Sequence, residues 1–318
     1  MTGRTLTESF SPDIPELLID LELPEDQERP EAGWPVIVWL HGGGWRLQDR
    51  TARPEFHRYF TPRGFVMASI DYRLAPENVH PAQVADLRQA LRWLRVNAER
   101  LGINPDRIGL WGSSAGGHIA AFAALSSHVD ALPQERVPAE YSGVSAAVNS
   151  VVEGYGPALI ADLLPGTDRP TEMPHTPEED LVGGPVSAPE EYDELLARAR
   201  LASPALIDSP SPPPFFILHG TGDTMVPASQ SEALHQHVTD LGGDSLLYLI
   251  EGFGHGFLNP GDVMELGPGV RLDNGRLERE PDTPFTASES AGEDNFNPRG
   301  RPASIDLIGD FFEHHLQN

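Results

Sequence analysis

The chain has 318 residues, a formal net charge of −26 and 39% apolar residues. That length supports one large domain or two ordinary ones with a sizeable core, and the acidity argues against nucleic acid or an anionic membrane surface as a partner. Cysteine and lysine are both absent, which excludes disulfides, thiolate nucleophiles and thiolate metal sites, as well as lysine Schiff bases, P-loop lysines and Ser-Lys dyads.

Residues 1–10 show no basic segment followed by an apolar one, and no apolar run approaches the roughly eighteen residues of a membrane span. A soluble cytoplasmic protein is the expectation. Residues 17–23 alternate loosely as an early strand, and the Pro/Glu-rich stretch 24–33 reads as a turn. Residues 36–40, Val-Ile-Val-Trp-Leu, are a short apolar run that stops at His41-Gly42-Gly43-Gly44, the pattern of a buried strand ending in a glycine loop. Residues 65–70 form a second such run. Between 81 and 101 the apolar residues Val84, Leu87, Leu91, Leu94 and Leu101 recur at helical spacing, and Gly102 closes the helix.

Residues 107–111 predict a third strand, followed by an Ala-rich helix over 118–125. Further strands are expected at 146–152, 215–218 and 246–250, with helices at 229–241 and 305–316. Strands alternating with helices predict a single α/β domain over 1–318, its mostly parallel central sheet covered by helices on both faces. Two regions break the rhythm. Residues 153–211, Pro/Gly-rich and acidic with a short helical pattern near 190–201, are a candidate cap or lid; residues 256–302 read as a loop-rich insertion. Such lengths in a compact domain suit a lid, a surface loop or an arm of a homo-oligomer equally well.

The stretch Gly112-Ser113-Ser114-Ala115-Gly116 matches G-x-S-x-G, with Ser114 central. A chain that turns sharply from strand into helix strains the central residue and crowds the positions two away, where glycine relieves the clash. The turn lifts the Ser114 hydroxyl above the sheet edge at a helix N-terminus. A plain helix cap would account for Ser113 or Ser114 as well. The three glycines 42–44 can turn backbone N–H groups outward to meet an oxyanion together with the N–H of Ala115. The other use of such a loop, cradling phosphate, lacks its lysine here.

Most of the 12 histidines have ordinary readings. His235 and His237 face different ways on a helix, His314 and His315 sit on the last helix, His219 ends a strand and reads as structural, and His41 belongs to the glycine loop. His255 differs, because Gly254 and Gly256 let a loop carry its imidazole over the sheet edge directly after a strand. Asp223 follows the strand-and-turn 216–222; it can be an Asx turn or a cap, yet the order Ser114, Asp223, His255 is that of a hydrolase of this architecture.

Taken with Asp71-Tyr72-Arg73-Leu74-Ala75-Pro76-Glu77, Pro81-Ala82-Gln83 with Asp86, and Val226-Pro227, these motifs resemble the α/β-hydrolase superfamily. The resemblance is to its hormone-sensitive-lipase-like and feruloyl-esterase-like esterase branches, over about residues 35–258 and 303 onward. It implies Ser114 as nucleophile, His255 as general base and then acid, and Asp223 as the group that orients His255. Gly43, Gly44 and Ala115 would supply the oxyanion donors. Trp45 and Ser113 are candidate substrate contacts, while Asp71, Tyr72, Arg73 and Asp86 would brace the loops. The chain departs from the first branch in the segment before the glycine loop, part of which reads as strand rather than helical cap, and from both in the long insertion after His255.

The function expected is that of a serine carboxylesterase cleaving short-chain or small aromatic esters through an acyl-enzyme. An amidase, arylformamidase or small peptidase would use the same triad. A non-catalytic ligand-binding protein on the same scaffold is the third reading, though such proteins typically lose the serine or the histidine. No motif asks for a metal or an organic cofactor, and a small-molecule ester is the partner expected.

Overall fold

Val36, Val38 and Leu40 pack into one apolar cluster while Ile37 and Trp39 pack into another, and all five are buried. A strand apolar on both sides must lie inside a sheet covered on both faces, and this one does. The computed structural model describes residues 5–25, 27–133, 135–166, 174–184, 189–259, 272–290 and 296–317. Among them one sheet contains nine strands: β1 (Thr5–Ser9), β2 (Leu18–Glu22), β3 (Trp34–Leu40), β4 (Val66–Ile70), β5 (Ile103–Ser113), β6 (Ser150–Gly154), β7 (Phe215–Gly220), β8 (Ser245–Ile250) and β9 (Phe285–Glu289).

Their spatial order is β1-β2-β4-β3-β5-β6-β7-β8-β9. Neighbours from β4 across to β8 run parallel, whereas the β1–β2, β2–β4 and β8–β9 pairs are antiparallel. The same two-sided alternation recurs in β7, where Phe215 and Ile217 face one cluster and Phe216 and Leu218 the other. Helices Ala82–Val96, Ala115–Leu125 and Ser229–Asp240 contribute to the first cluster; Ile305–Leu316 covers the second. Each fully buried Leu, Val or Phe at these positions contributes about 2 kcal/mol of burial free energy.

This topology also determines where a ligand can sit. From β3 the chain crosses to β4 on one side, then returns past β3 to β5 on the other. The strand order reverses there, and a crevice opens at the carboxyl ends of β3 and β5. The glycine loop leaves β3 at this place and Ser114 leaves β5 beside it.

Several boundaries differ from the sequence pattern. The strand expected at 146–152 lies at Ser150–Gly154, and β5 begins at Ile103. The long second helix breaks at Asn97, whose side chain caps the Trp93 carbonyl at 2.9 Å, before a short turn Ala98–Leu101 ends at Gly102 with φ 71°. The loop-rich reading of 256–302 misses β9, which pairs antiparallel with β8, and part of that insertion (260–271 and 291–295) lies outside the described residues. Edge strand β1 was likewise not anticipated.

Candidate active site

Two glycine turns and one strained serine create the site. Gly43 and Gly44 adopt φ 98° and 57° just after β3, values that only glycine reaches without cost. Ser114 has φ 54° and ψ −122°, a conformation costing on the order of 1–3 kcal/mol for a residue with a side chain. The close packing explains the flanking glycines: a Cβ on Gly112 would run into the Gly116 carbonyl, and one on Gly116 into the Leu40 carbonyl. The Ser114 N–H donates to the Gly154 carbonyl at 2.8 Å, tying the turn to β6, and helix Ala115–Leu125 starts at the next residue.

Ser114, His255 and Asp223 come together. Ser114 Oγ lies 2.8 Å from His255 Nε2, and His255 Nδ1 lies 2.6 Å from Asp223 Oδ2. A carboxylate only accepts, so Nδ1 carries the ring proton and Nε2 is left as a lone pair facing the serine hydroxyl. The other carboxylate oxygen of Asp223 accepts the N–H groups of Met225 and Val226 at 2.9 and 3.0 Å. Burial works against the charged form of Asp223, but hydrogen bonds from His219 and His255, with Val226, outweigh it and hold the carboxyl well below its usual range. The Tyr155 ring packs edge-on against the imidazole, centroids 4.7 Å apart.

Gly43, Gly44 and Ala115, the expected oxyanion donors, line the same cleft. Among the described residues none of the three donates to a protein acceptor, which leaves them available to an oxyanion. The cleft has a volume of about 320 Å³ and is lined mainly by apolar groups, with Pro157, Leu163, Pro177 and Val226 beside Ser114 and His255. Among the described residues Glu178 is the one carboxylate in its lining. Burial pushes its carboxyl up, against hydrogen bonds from its own N–H and Thr176 and the charge of Arg46.

The two candidate substrate contacts part ways. Trp45 reaches the cleft wall, though it is almost wholly buried. Ser113 does not reach the cleft: it is fully buried, with its hydroxyl donating to Asn259 Oδ1 at 3.3 Å, because successive residues of a strand point to opposite faces. The bracing residues lie where they are needed. Asp71 receives Arg50 on both oxygens, the Tyr72 hydroxyl donates to the His41 carbonyl at 2.8 Å, and Arg73 grips Asp86 at 2.7–2.9 Å. Sequence reasoning passed over His118, which accepts the Trp45 indole N–H and donates to the Ala202 carbonyl. Its place four residues after Ser114, on the inner face of the elbow helix, was the available signal. Among the described residues no three His, Asp or Glu side chains gather to hold a metal, and no helix is long and apolar enough to cross a membrane.

A family model described as BD-FAE matches residues 19–238. Esterase LipQ of Mycobacterium tuberculosis is 30% identical over 217 residues, 67% of this chain and 48% of LipQ. Esterase LipC of the same species is 29% identical over 247 residues, 77% of this chain and 58% of LipC. The chain thus spans about half the length of the curated relatives it matches. Among solved structures, a truncated carbohydrate esterase from gut microbiota aligns with a TM-score of 0.66 at 26% identity, over 80% of this chain and 90% of that one. Butyrate-bound Est2 of Thermogutta terrifontis aligns with a TM-score of 0.63 at 25% identity, over 87% and 92%. The chain belongs to the BD-FAE family, and it folds as an α/β-hydrolase like the esterases it aligns with.

Proposed function

We propose that this chain is a serine carboxylesterase that cleaves small esters through an acyl-enzyme. Ser114 attacks the ester carbonyl while His255 takes its proton and Asp223 stabilises the resulting imidazolium. The N–H groups of Gly43, Gly44 and Ala115 bind the oxyanion, His255 protonates the departing alcohol, and a water activated by the same imidazole releases the acid. One observation carries this reading: the continuous hydrogen-bonded line from Ser114 Oγ through His255 to Asp223, at 2.8 and 2.6 Å, at the mouth of a cleft with unclaimed N–H donors. The relatives' names, esterases throughout those cited, support it.

A cleft of about 320 Å³ suits a short acyl chain or a small aromatic group. Pro157, Leu163, Thr176, Pro177 and Glu178, all described residues of 153–211, are in its lining, which supports a cap role for that segment. The purified protein should turn over p-nitrophenyl acetate and butyrate with saturation, and a fluorophosphonate should label Ser114. Ser114→Ala should abolish both; retention of wild-type turnover in that variant rejects the reading.

A further inference from the structure

Asp223 faces two histidines, and the proposed reaction employs only one. His219, at the end of β7, is fully buried. Its Nε2 lies 2.9 Å from the Val226 carbonyl and 3.5 Å from Asp223 Oδ2. Both of these are acceptors, so Nε2 bears the proton. Nδ1 is then a lone pair and must accept from the Ser231 hydroxyl, 2.7 Å away on the helix Ser229–Asp240.

The environment keeps that tautomer in place. Ser231 is itself fully buried and neighbours Glu153. Burial pushes the Glu153 carboxyl up to about 8, against hydrogen bonds from Gly156 and Ser231, and a neutral Glu153 competes weakly for the Ser231 proton, which the 2.7 Å contact directs at His219. The Nε2–H dipole of His219 is therefore fixed beside a carboxylate whose other oxygen is already held by two backbone N–H groups.

We propose that His219 is a positioning residue for Asp223: locked by Ser231 and donating to the Val226 carbonyl, it keeps its Nε2–H dipole 3.5 Å from Oδ2 and shares with His255 the charge of that carboxylate. The consequence is electrostatic. With His219 in place, part of the Asp223 charge is neutralised locally, and the carboxylate holds a proton on the His255 ring less tightly. Without it, the ring keeps that proton to higher pH and the base is available in fewer molecules at neutral pH.

The inference rests on the esterase reading, and its test separates the two. His219→Phe, His219→Gln and Ser231→Ala would be compared with wild type by the pH profile of kcat/KM on p-nitrophenyl butyrate. The downfield proton resonance of the His255–Asp223 hydrogen bond gives a second readout that needs no turnover. His219→Phe should move the acid limb to higher pH, lowering kcat/KM below pH 7 by about tenfold, and should shift the resonance. Glutamine, which retains a donor, should restore most of the profile, and Ser231→Ala should move the limb in the same direction by less. A purely structural histidine would scale the whole profile without moving its limb. Folded variants with an unmoved limb and an unmoved resonance overturn the proposal; if the phenylalanine variant does not fold, Ser231→Ala decides. A wild type without turnover or fluorophosphonate labelling sinks the esterase reading alone, and the resonance still judges His219.

Discussion

The indole N–H of Trp45 donates to His118 Nδ1 across 3.1 Å, joining the glycine loop after β3 to the helix that follows the serine elbow. His118 in turn donates from Nε2 to the Ala202 carbonyl at 2.8 Å, so its tautomer is determined. Trp45 itself has φ 58°, a strained value that persists only where neighbours enforce it. The proposed oxyanion donors Gly43 and Gly44 sit immediately before it. The conformation of this loop beside Ser114 is therefore braced by a hydrogen bond made behind the cleft.

His118→Phe keeps most of the volume and removes the acceptor. The expected result is a fall in kcat of about tenfold or more with KM little changed, since a small displacement of transition-state donors costs rate rather than binding. Trp45→Phe should give a similar loss, and the double variant little further loss, because the two residues act as one unit. Strictly additive losses in that cycle would show that the pair does not act through the loop.

The grouping of Ser114, Asp223 and His255, proposed here as catalytic, was legible because such chemistry imposes local sterics. A strand-to-helix elbow needs glycine two residues on either side of Ser114, and an oxyanion loop needs a glycine run, so both leave marks within a few residues. His118 leaves only its place four residues after Ser114, and His219 only its place at a strand end. Their roles come from Ser231, Val226, Trp45 and Ala202, partners that only the folded chain brings near. The edges were lost for a related reason: β9, Phe-Thr-Ala-Ser-Glu, is mostly exposed and anchored by the Phe285 ring stacked on Tyr248, so its sequence carries no apolar period. The displaced start of β6 reflects an apolar stretch at 146–148 that packs as loop before the strand begins.

Buried histidines predict acid sensitivity. Burial lowers His41 and His118 to about 4 and His80 to about 3, the last also repelled by His118. In the unfolded chain each titrates near 6.5. Between those values the unfolded state binds more protons, so stability falls as pH drops from about 6.5 toward 4. Glu153 acts in the opposite sense: folded, it titrates near 8 rather than 4.5, so the stability linked to its protonated form is full at low pH and lost as pH rises toward 8. Thermal unfolding followed against pH should show both limbs. Glu153→Gln, always neutral, should flatten the alkaline limb and leave the acid limb in place; an unchanged alkaline limb would mean that Glu153 is ionised in the folded protein at neutral pH.

The insertion after His255 holds the histidine loop. Asp273 Oδ2 accepts the Gly254 N–H at 2.6 Å, and the Asp273 N–H donates to the His255 carbonyl at 2.7 Å. Arg276 secures the arrangement, donating to Asp273 at 2.7 Å and to the Gly252 carbonyl at 2.8 Å. Asp273→Ala should loosen the loop and lower both kcat/KM and the rate of fluorophosphonate labelling about tenfold. Its melting temperature should change little, because the side chains of this pair are partly exposed. Asp273→Asn, which retains an acceptor, should recover part of the loss. Labelling at the wild-type rate in Asp273→Ala would show that the insertion does not position His255.

Glu178 should govern which acyl groups the cleft tolerates. Arg46 is the nearby cation, and it is engaged with Asp180 at 3.0 Å and with the His175 carbonyl. Among the described residues no ion pair reaches Glu178; where its carboxyl ionises, against the burial that raises it, the charge lies in the lining of the cleft. In a mostly apolar site that charge is weakly screened and repels an anionic substrate. Wild type should therefore hydrolyse a p-nitrophenyl monosuccinate far more slowly than the matching butyrate. Glu178→Gln should raise the succinate-to-butyrate ratio of kcat/KM on the order of tenfold, the effect of removing about 1.4 kcal/mol of repulsion. The ratio cancels any general change in activity, and the remaining charge of the acidic chain is common to both proteins. A ratio that stays put in Glu178→Gln would mean that the carboxylate is turned away from the acyl site, leaving the apolar walls alone to set selectivity.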